Sequence, residues 1–183
     1  MSRYAEIPVE AMTPAQKRVN DLICAGKRGK VSGPFTVLIR APEICEHAAQ
    51  LGEHLRWGTS LSPRLSELAI CMTARFWRAQ YEWYAHAPLA VKAGVPAAAI
   101  EAIRTGGTPE FTAKDEILVH RICGEIFRNQ RLSDASFKEA VDTLGENGVV
   151  EIVAIIGYYT LIGNTLNVFQ VALPAGETLP FPE

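Results

Sequence analysis

The chain has 183 residues, 48% of them hydrophobic and 21% charged, and a net charge of -2, which is the material of one domain with a full core. This balance lacks the basic stripe that phosphate-backbone recognition requires, so no nucleic-acid partner is expected. The opening Met1-Ser2-Arg3-Tyr4-Ala5-Glu6 has no apolar h-region, and no run approaches the roughly 18 uncharged apolar residues of a membrane span. The expectation is a soluble, cytoplasmic protein with no membrane partner.

Helical signals follow one another along the chain. Thr13-Pro14-Ala15-Gln16 supplies an N-cap, a proline at the first helical position and a Gln at the third, which predicts a helix from Pro14 to Ala25 closed by Gly26. Lys27 to Gly33 reads as a basic, glycine-containing loop, and 34–40 as a helical turn or two. Pro42 opens a helix in which Ile44, Ala48, Leu51 and Leu55 share one face. Ser62-Pro63 repeats the cap-then-proline signature, and the stretch it opens runs towards Ala93 with a break at 77–80. Residues 96–105 form a short helix ended by Gly106-Gly107. Thr112-Ala113-Lys114-Asp115 resembles a capping box for a helix reaching Asn129. Ser133 caps another, to Leu144, and Gly145-Glu146-Asn147-Gly148 is a turn. A last, buried helix spans about 149–169, before a proline-rich tail at 173–183 that is extended or pinned on a neighbour. No segment carries a strand pattern. The fold class is therefore all-α, one domain over 1–183, with 1–30 as an N-terminal helical extension.

Ser66-Glu67-Leu68-Ala69-Ile70 echoes Val150-Glu151-Ile152-Val153-Ala154, which suggests an internal helical repeat. Nineteen residues beyond each glutamate stand His86 and Gln170. The four cysteines, Cys24, Cys45, Cys71 and Cys123, form no CxxC pair and no metal-ligand spacing, so they read as small apolar residues. His47 and His54 sit seven apart on one helix, about 10 Å along its axis, with Leu51 between them. That is too far for one ion, and no metal site is assigned.

The chemistry concentrates between Arg64 and His86. Glu82 and His86 are four apart on a helix, so they share a face. A carboxylate beside an imidazole raises its pKa and fixes its orientation, which makes a general acid or base. The same spacing also occurs in ordinary surface pairs. Glu67 shares its face with Leu68, Cys71 and Ala74 and needs a partner. Arg75, two turns on, is the candidate, either as a salt bridge or as an anchor for a substrate carboxylate. Tyr81, Trp83 and Tyr84 are aromatic neighbours suited to packing or to substrate contact.

The run Glu67…Arg75…Tyr81-Glu82-Trp83…His86, followed by Ala90, Ala93-Gly94 and Ile100, resembles the carboxymuconolactone decarboxylase family of the alkylhydroperoxidase-D-like superfamily. Gly33-Pro34-Phe35, Arg40-Ala41-Pro42-Glu43, Leu55-Arg56 and Tyr158-Tyr159…Asn164…Leu166-Asn167 resemble it as well, so the likeness covers about residues 30–175. It implies an alkylhydroperoxidase-D-like helical bundle. The implied reaction is loss of carbon dioxide from 4-carboxymuconolactone in aromatic-compound degradation, which can proceed without a cofactor. His86 would be the proton donor, with Glu82 or Glu67 orienting it. Arg75, Tyr81 and Trp83 would contact the small organic acid or lactone. Relatives assemble as trimers or hexamers, so a homo-oligomer is expected, in keeping with Trp57, Trp77, Trp83 and the apolar last helix.

The peroxidase branch of that superfamily has Glu, eleven residues, Cys-x-x-Cys, three residues, His. On this chain the outer frame falls on Glu67 and His86, but the cysteine places hold Ala79 and Glu82. Thiol peroxidase chemistry needs both cysteines, which argues against that activity. A non-catalytic, ligand-binding member is the alternative. It predicts the same polar residues in a saturated network with no cavity.

Overall fold

The computed structural model describes residues 2–182. Among these, all regular structure is helical. A 3-10 turn at Val9–Ala11 precedes eight helices: α1 (Pro14–Ala25), α2 (Phe35–Leu38), α3 (Pro42–Trp57), α4 (Pro63–Phe76), α5 (Gln80–Lys92), α6 (Ala97–Thr105), α7 (Lys114–Asn129) and α8 (Asp134–Val168). The all-α reading is therefore correct.

Local signals placed most of the ends. Thr13 and Gln16 form the full capping box of α1: the Thr13 hydroxyl accepts from Gln16 N, and the Gln16 side chain accepts from Thr13 N. The Ser133 hydroxyl accepts from Ser136 N at the start of α8. The capping box expected at Thr112 does not form. Ala113 is the N-cap of α7, and Asp115 turns instead to Arg64 at 2.6 Å. An ion pair to another helix has displaced the local cap. Gln130 closes α7 in the left-handed region, at φ 59°, where glycine is the unstrained choice. Gln130→Gly is expected to stabilise the protein by about 1 kcal/mol, read as a rise of about 2–4 °C in thermal midpoint.

Helix α4 is the centre of the molecule. Leu68, Ala69, Ile70, Cys71 and Thr73 are fully buried, and α5, α7 and α8 pack around it. Arg64 fastens α4 to α7 through Asp115 and Glu116 (2.6 and 2.8 Å). On α3 the expected apolar face is rotated. Ala48 and Leu55 are buried, but Ile44 and Leu51 are exposed, and the inward face is completed by Cys45, Ala49 and Gly52. Small residues on that side allow α3 to approach its neighbours closely.

The break expected at 145–148 is present and confined to one residue: Gly145 leaves helical geometry, at φ 73° and ψ 165°, and divides α8 into two helical arms. The second arm of α8 then crosses the core, burying Ile152, Ile155, Ile156, Tyr159 and Ile162. Its length and apolar composition would let it cross a membrane, yet most of that apolar window is buried inside the molecule. It also leaves a stripe of Val150, Val153, Leu161 and Val168 exposed.

The two segments of the suspected repeat differ in their helices. The first copy breaks between α4 and α5, whereas the second runs through the equivalent positions without interruption. Glu151 is a structural carboxylate. It accepts from Ser60 N and Oγ and from Asn147 Nδ2, all within 3.0 Å. Burial opposes its charge, but these hydrogen bonds outweigh it and hold the carboxyl below its ordinary range. Gln170 is exposed beyond the end of α8.

The tail is pinned, as one of the two sequence expectations had it. Phe181 is buried edge-on against Trp83 (5.2 Å). Gln80 at the start of α5 exchanges two 2.9 Å hydrogen bonds with the Phe181 backbone, and Arg104 donates to Pro180 O at 2.7 Å.

Candidate functional site

Glu67 on α4 and Glu82 and His86 on α5 meet because the chain reverses sharply at 77–79. Arg78 takes a left-handed φ of 50°, and Ala79 N donates back to Ala74 O at 2.9 Å. This closes α4 with a Schellman-type turn. The corner is tied to α8 on both sides: Trp77 Nε1 donates to Thr160 Oγ1 (2.9 Å), and Asn167 Nδ2 donates to Trp77 O (2.6 Å). With the hairpin so fixed, α5 returns antiparallel to α4 and points His86 at Glu67.

The result is an imidazole held between two carboxylates. His86 Nδ1 lies 2.6 Å from Glu67 Oε2, and Nε2 lies 3.0 Å from Glu82 Oε1. The side chains of His86 and Glu82 are each 5% exposed and that of Glu67 is 13% exposed. Burial disfavours a charged ring. Glu82 and Glu67 outweigh that cost, by charge and by hydrogen bond, and lift His86 to about 9. At neutral pH it is an imidazolium that donates from Nδ1 to Glu67 and is ion-paired through Nε2 with Glu82. Tyr159 closes one side of the ring edge-on, at 5.2 Å.

Beside this triad is a cavity of about 140 Å³. That is space for a few waters, at about 30 Å³ each, or for a small organic molecule. Glu82 and His86 line it; Glu67 stands behind them. Arg28, Arg56, Tyr81 and Tyr158 form other parts of the wall. The arrangement can hold a proton on a buried relay and present it to a small bound molecule.

Of the residues the sequence singled out, Glu67, Glu82, His86 and Tyr81 are therefore brought together. Tyr81 is half-buried, and burial with the neighbouring Glu82 raises its hydroxyl above the ordinary value. Arg75 and Trp83 are not at the cavity. Arg75 Nε donates to Ile103 O (3.1 Å), and its guanidinium lies over Phe181. Eight residues on a 3.6-residue helix amount to about 80° of rotation and 12 Å of rise, so Arg75 faces α6 and the tail while Glu67 faces α5. Trp83 is buried against Phe181. Consecutive helical positions point about 100° apart, so the residue next to Glu82 enters the core.

Sequence reasoning missed Arg28, Arg56 and Tyr158 as site residues. Arg56 and Tyr158 stood in segments carrying the family likeness, and Arg28 in the basic loop before α2. The loop arginine and the α3 arginine reach one cavity only through tertiary packing.

The cysteines are all free thiols. Burial pushes Cys45 and Cys123 up to about 12 and Cys71 well above its ordinary range, with Glu67 and Glu82 adding to the shift at Cys71. Neutral buried thiols are poor nucleophiles. Among the described residues no group of three or more His, Cys, Asp and Glu is arranged to hold a metal ion. No protein-family model matches the chain, and no curated protein matches it.

Proposed function

We propose that this protein is a cofactor-free lyase acting on a small organic acid or lactone, with a reaction like that of 4-carboxymuconolactone decarboxylases. The observation that carries the reading is the buried Glu67–His86–Glu82 relay at the wall of a small, arginine-lined cavity. The triad is a saturated polar network, as a non-catalytic member would also have, and the cavity beside it is what favours the lyase reading over that alternative.

In this reaction the bond from the ring carbon to the departing carboxylate breaks. Its electron pair flows into the conjugated lactone carbonyl and gives a dienolate, while carbon dioxide leaves. A proton then adds to carbon, and solvent restores it to the protein. Both His86 nitrogens are engaged by carboxylates, so the proton reaches substrate from the His86–Glu82 pair acting together, with Glu67 holding the ring. The sequence resemblance of 30–175 to the carboxymuconolactone decarboxylase family supports this assignment, and Ala79 and Glu82 at the places of the paired cysteines argue against a thiol peroxidase.

Assembly as a homo-oligomer, a trimer or hexamer, belongs to the same proposal, as does a cytoplasmic setting. The exposed stripe of Val150, Val153, Leu161 and Val168 supports assembly, since such faces are costly to leave in water.

The test is decarboxylation of 4-carboxymuconolactone, followed by loss of substrate absorbance, for wild-type protein and His86→Ala. The expected result is turnover by the wild type, lowered about a hundredfold or more in the variant. No turnover by the folded wild-type protein would remove the decarboxylase reading.

A further inference from the structure

Two cations in the cavity wall have no anion of their own. Among the described residues, Arg28 and Arg56 form no ion pair with any carboxylate, and the Nε of each is buried without a hydrogen-bond partner. Four other arginines are neutralised within the fold (Arg18 by Glu46, Arg64 by Asp115 and Glu116, Arg104 by Glu101 and Arg121 by Glu139), and Arg3, Arg40, Arg75 and Arg78 donate to backbone carbonyls, whereas Arg28 and Arg56 stand at the cavity. Aromatic rings hold these two guanidiniums instead. Arg28 lies over Phe35 at 4.5 Å and Arg56 over Trp57 at 4.4 Å. A ring under the face of a guanidinium leaves its N–H edges available.

A third unsatisfied donor stands with them. Tyr158 is 5% exposed, and its hydroxyl is buried without a partner among the described residues. A Cβ placed on Gly52 of α3 would lie 2.0 Å from the Tyr158 hydroxyl and 2.6 Å from Arg28 Nη2, so the two groups converge over that glycine. Buried polar groups are ordinarily hydrogen-bonded, and a cluster of unmet donors beside a cavity is the complement of an acceptor. Glu82 and His86 line the same cavity.

We propose that Arg28, Arg56 and Tyr158 form a subsite that anchors a carboxylate of the substrate, and that this is the carboxylate the reaction retains. The second part rests on the lyase reading given above; the first does not. Its reason is electrostatic. A departing carboxylate loses its charge as neutral carbon dioxide. Two arginines on that group would stabilise the ground state more than the transition state and slow its loss. Two arginines on a spectator carboxylate bind both states alike and aim the reacting carbon at Glu82 and His86. The substrate class is then a small compound with two carboxyl groups, one held at the arginines and one released.

Binding and turnover separate the two parts. Succinate is titrated into the protein by calorimetry and by tryptophan fluorescence, since Trp57 abuts both guanidiniums. Its uncharged diamide and inorganic phosphate serve as controls. The wild type is expected to bind succinate at millimolar concentration or below, at least about tenfold more tightly than either control. Arg28→Gln and Arg56→Gln are each expected to weaken succinate binding about tenfold or more, and Tyr158→Phe about threefold to tenfold. Glu82→Gln retains binding. Arg56→Lys, which keeps the charge, is expected to recover part of the loss and guards against a folding defect. Absence of succinate binding by the wild type, equal binding of phosphate, or unaltered affinity in folded Arg28→Gln and Arg56→Gln would overturn the subsite. Succinate binding without turnover of 4-carboxymuconolactone leaves the subsite standing and sinks the lyase reading. Turnover whose KM is unmoved in both glutamine variants sinks the subsite alone.

Discussion

His86→Leu is expected to destabilise the protein by about 3–5 kcal/mol at neutral pH, measured by urea titration. The imidazolium lies between two carboxylates, at 2.6 and 3.0 Å, with all three side chains largely removed from water. Deleting it leaves Glu67 and Glu82 facing each other with no cation between them. Stranding a buried charge in this way costs about that much, even where the intact network contributes little net stability. The pH dependence carries a second signature. The ring titrates at about 9 when folded, against an ordinary value of 6.5. The folded state therefore binds the proton more tightly, and the stability this brings is fully present below about 6.5. It is lost as pH rises through about 9, and it amounts to about 3 kcal/mol. Wild-type stability should fall across that window, and His86→Leu should lose that part of the slope. A variant within about 1 kcal/mol of wild type, with the slope unchanged, would show that the three groups are not coupled.

Glu82→Gln is expected to lower kcat by about a hundredfold to ten-thousandfold with little change in KM. Glutamine keeps the size of the side chain at the cavity wall but cannot pass a proton between His86 Nε2 and a bound molecule. Glu67 contacts His86 Nδ1 and does not line the cavity, so in the proposed reaction its part is that of a positioning residue. Glu67→Gln should move the pH profile as well as the rate. Removing one of the two carboxylates that hold His86 near 9 shifts the upper limb of the kcat profile to lower pH. A pure structural defect would lower activity without moving that limb. Steady-state kinetics of both variants between about pH 6 and 10 decide the matter; a Glu82→Gln enzyme with wild-type kcat would remove the relay from the mechanism.

Local chemistry fixed much of this protein in advance. Pro14, Pro42 and Pro63 each begin a helix because a residue without an N–H fits the first turn, and Thr13 and Ser133 cap theirs with a single hydroxyl. The Glu82–His86 pair was legible for a similar reason: four residues on a helix bring two side chains together whatever surrounds them. Its union with Glu67 was not read from spacing, which pointed to Arg75. Arg75 is eight residues away on α4, but the left-handed corner at Arg78 sets which face of α5 returns, and that face carries His86.

Two local expectations gave way to longer-range contacts. The cap at Thr112 lost to the pairing of Asp115 with Arg64, fifty-one positions earlier in the chain. The face of α3 turned from Ile44 and Leu51 towards Ala49 and Gly52, because close packing against neighbours favoured small residues there. The sequence by itself thus determined the helices, most of their ends and the intrahelical half of the relay, since these depend on interactions within a few residues. Only the tertiary structure decided the cavity. Arg28 from a loop, Arg56 from α3 and Tyr158 from α8 converge there through packing between segments distant in the chain, and no local pattern encodes which cations will be left without a carboxylate.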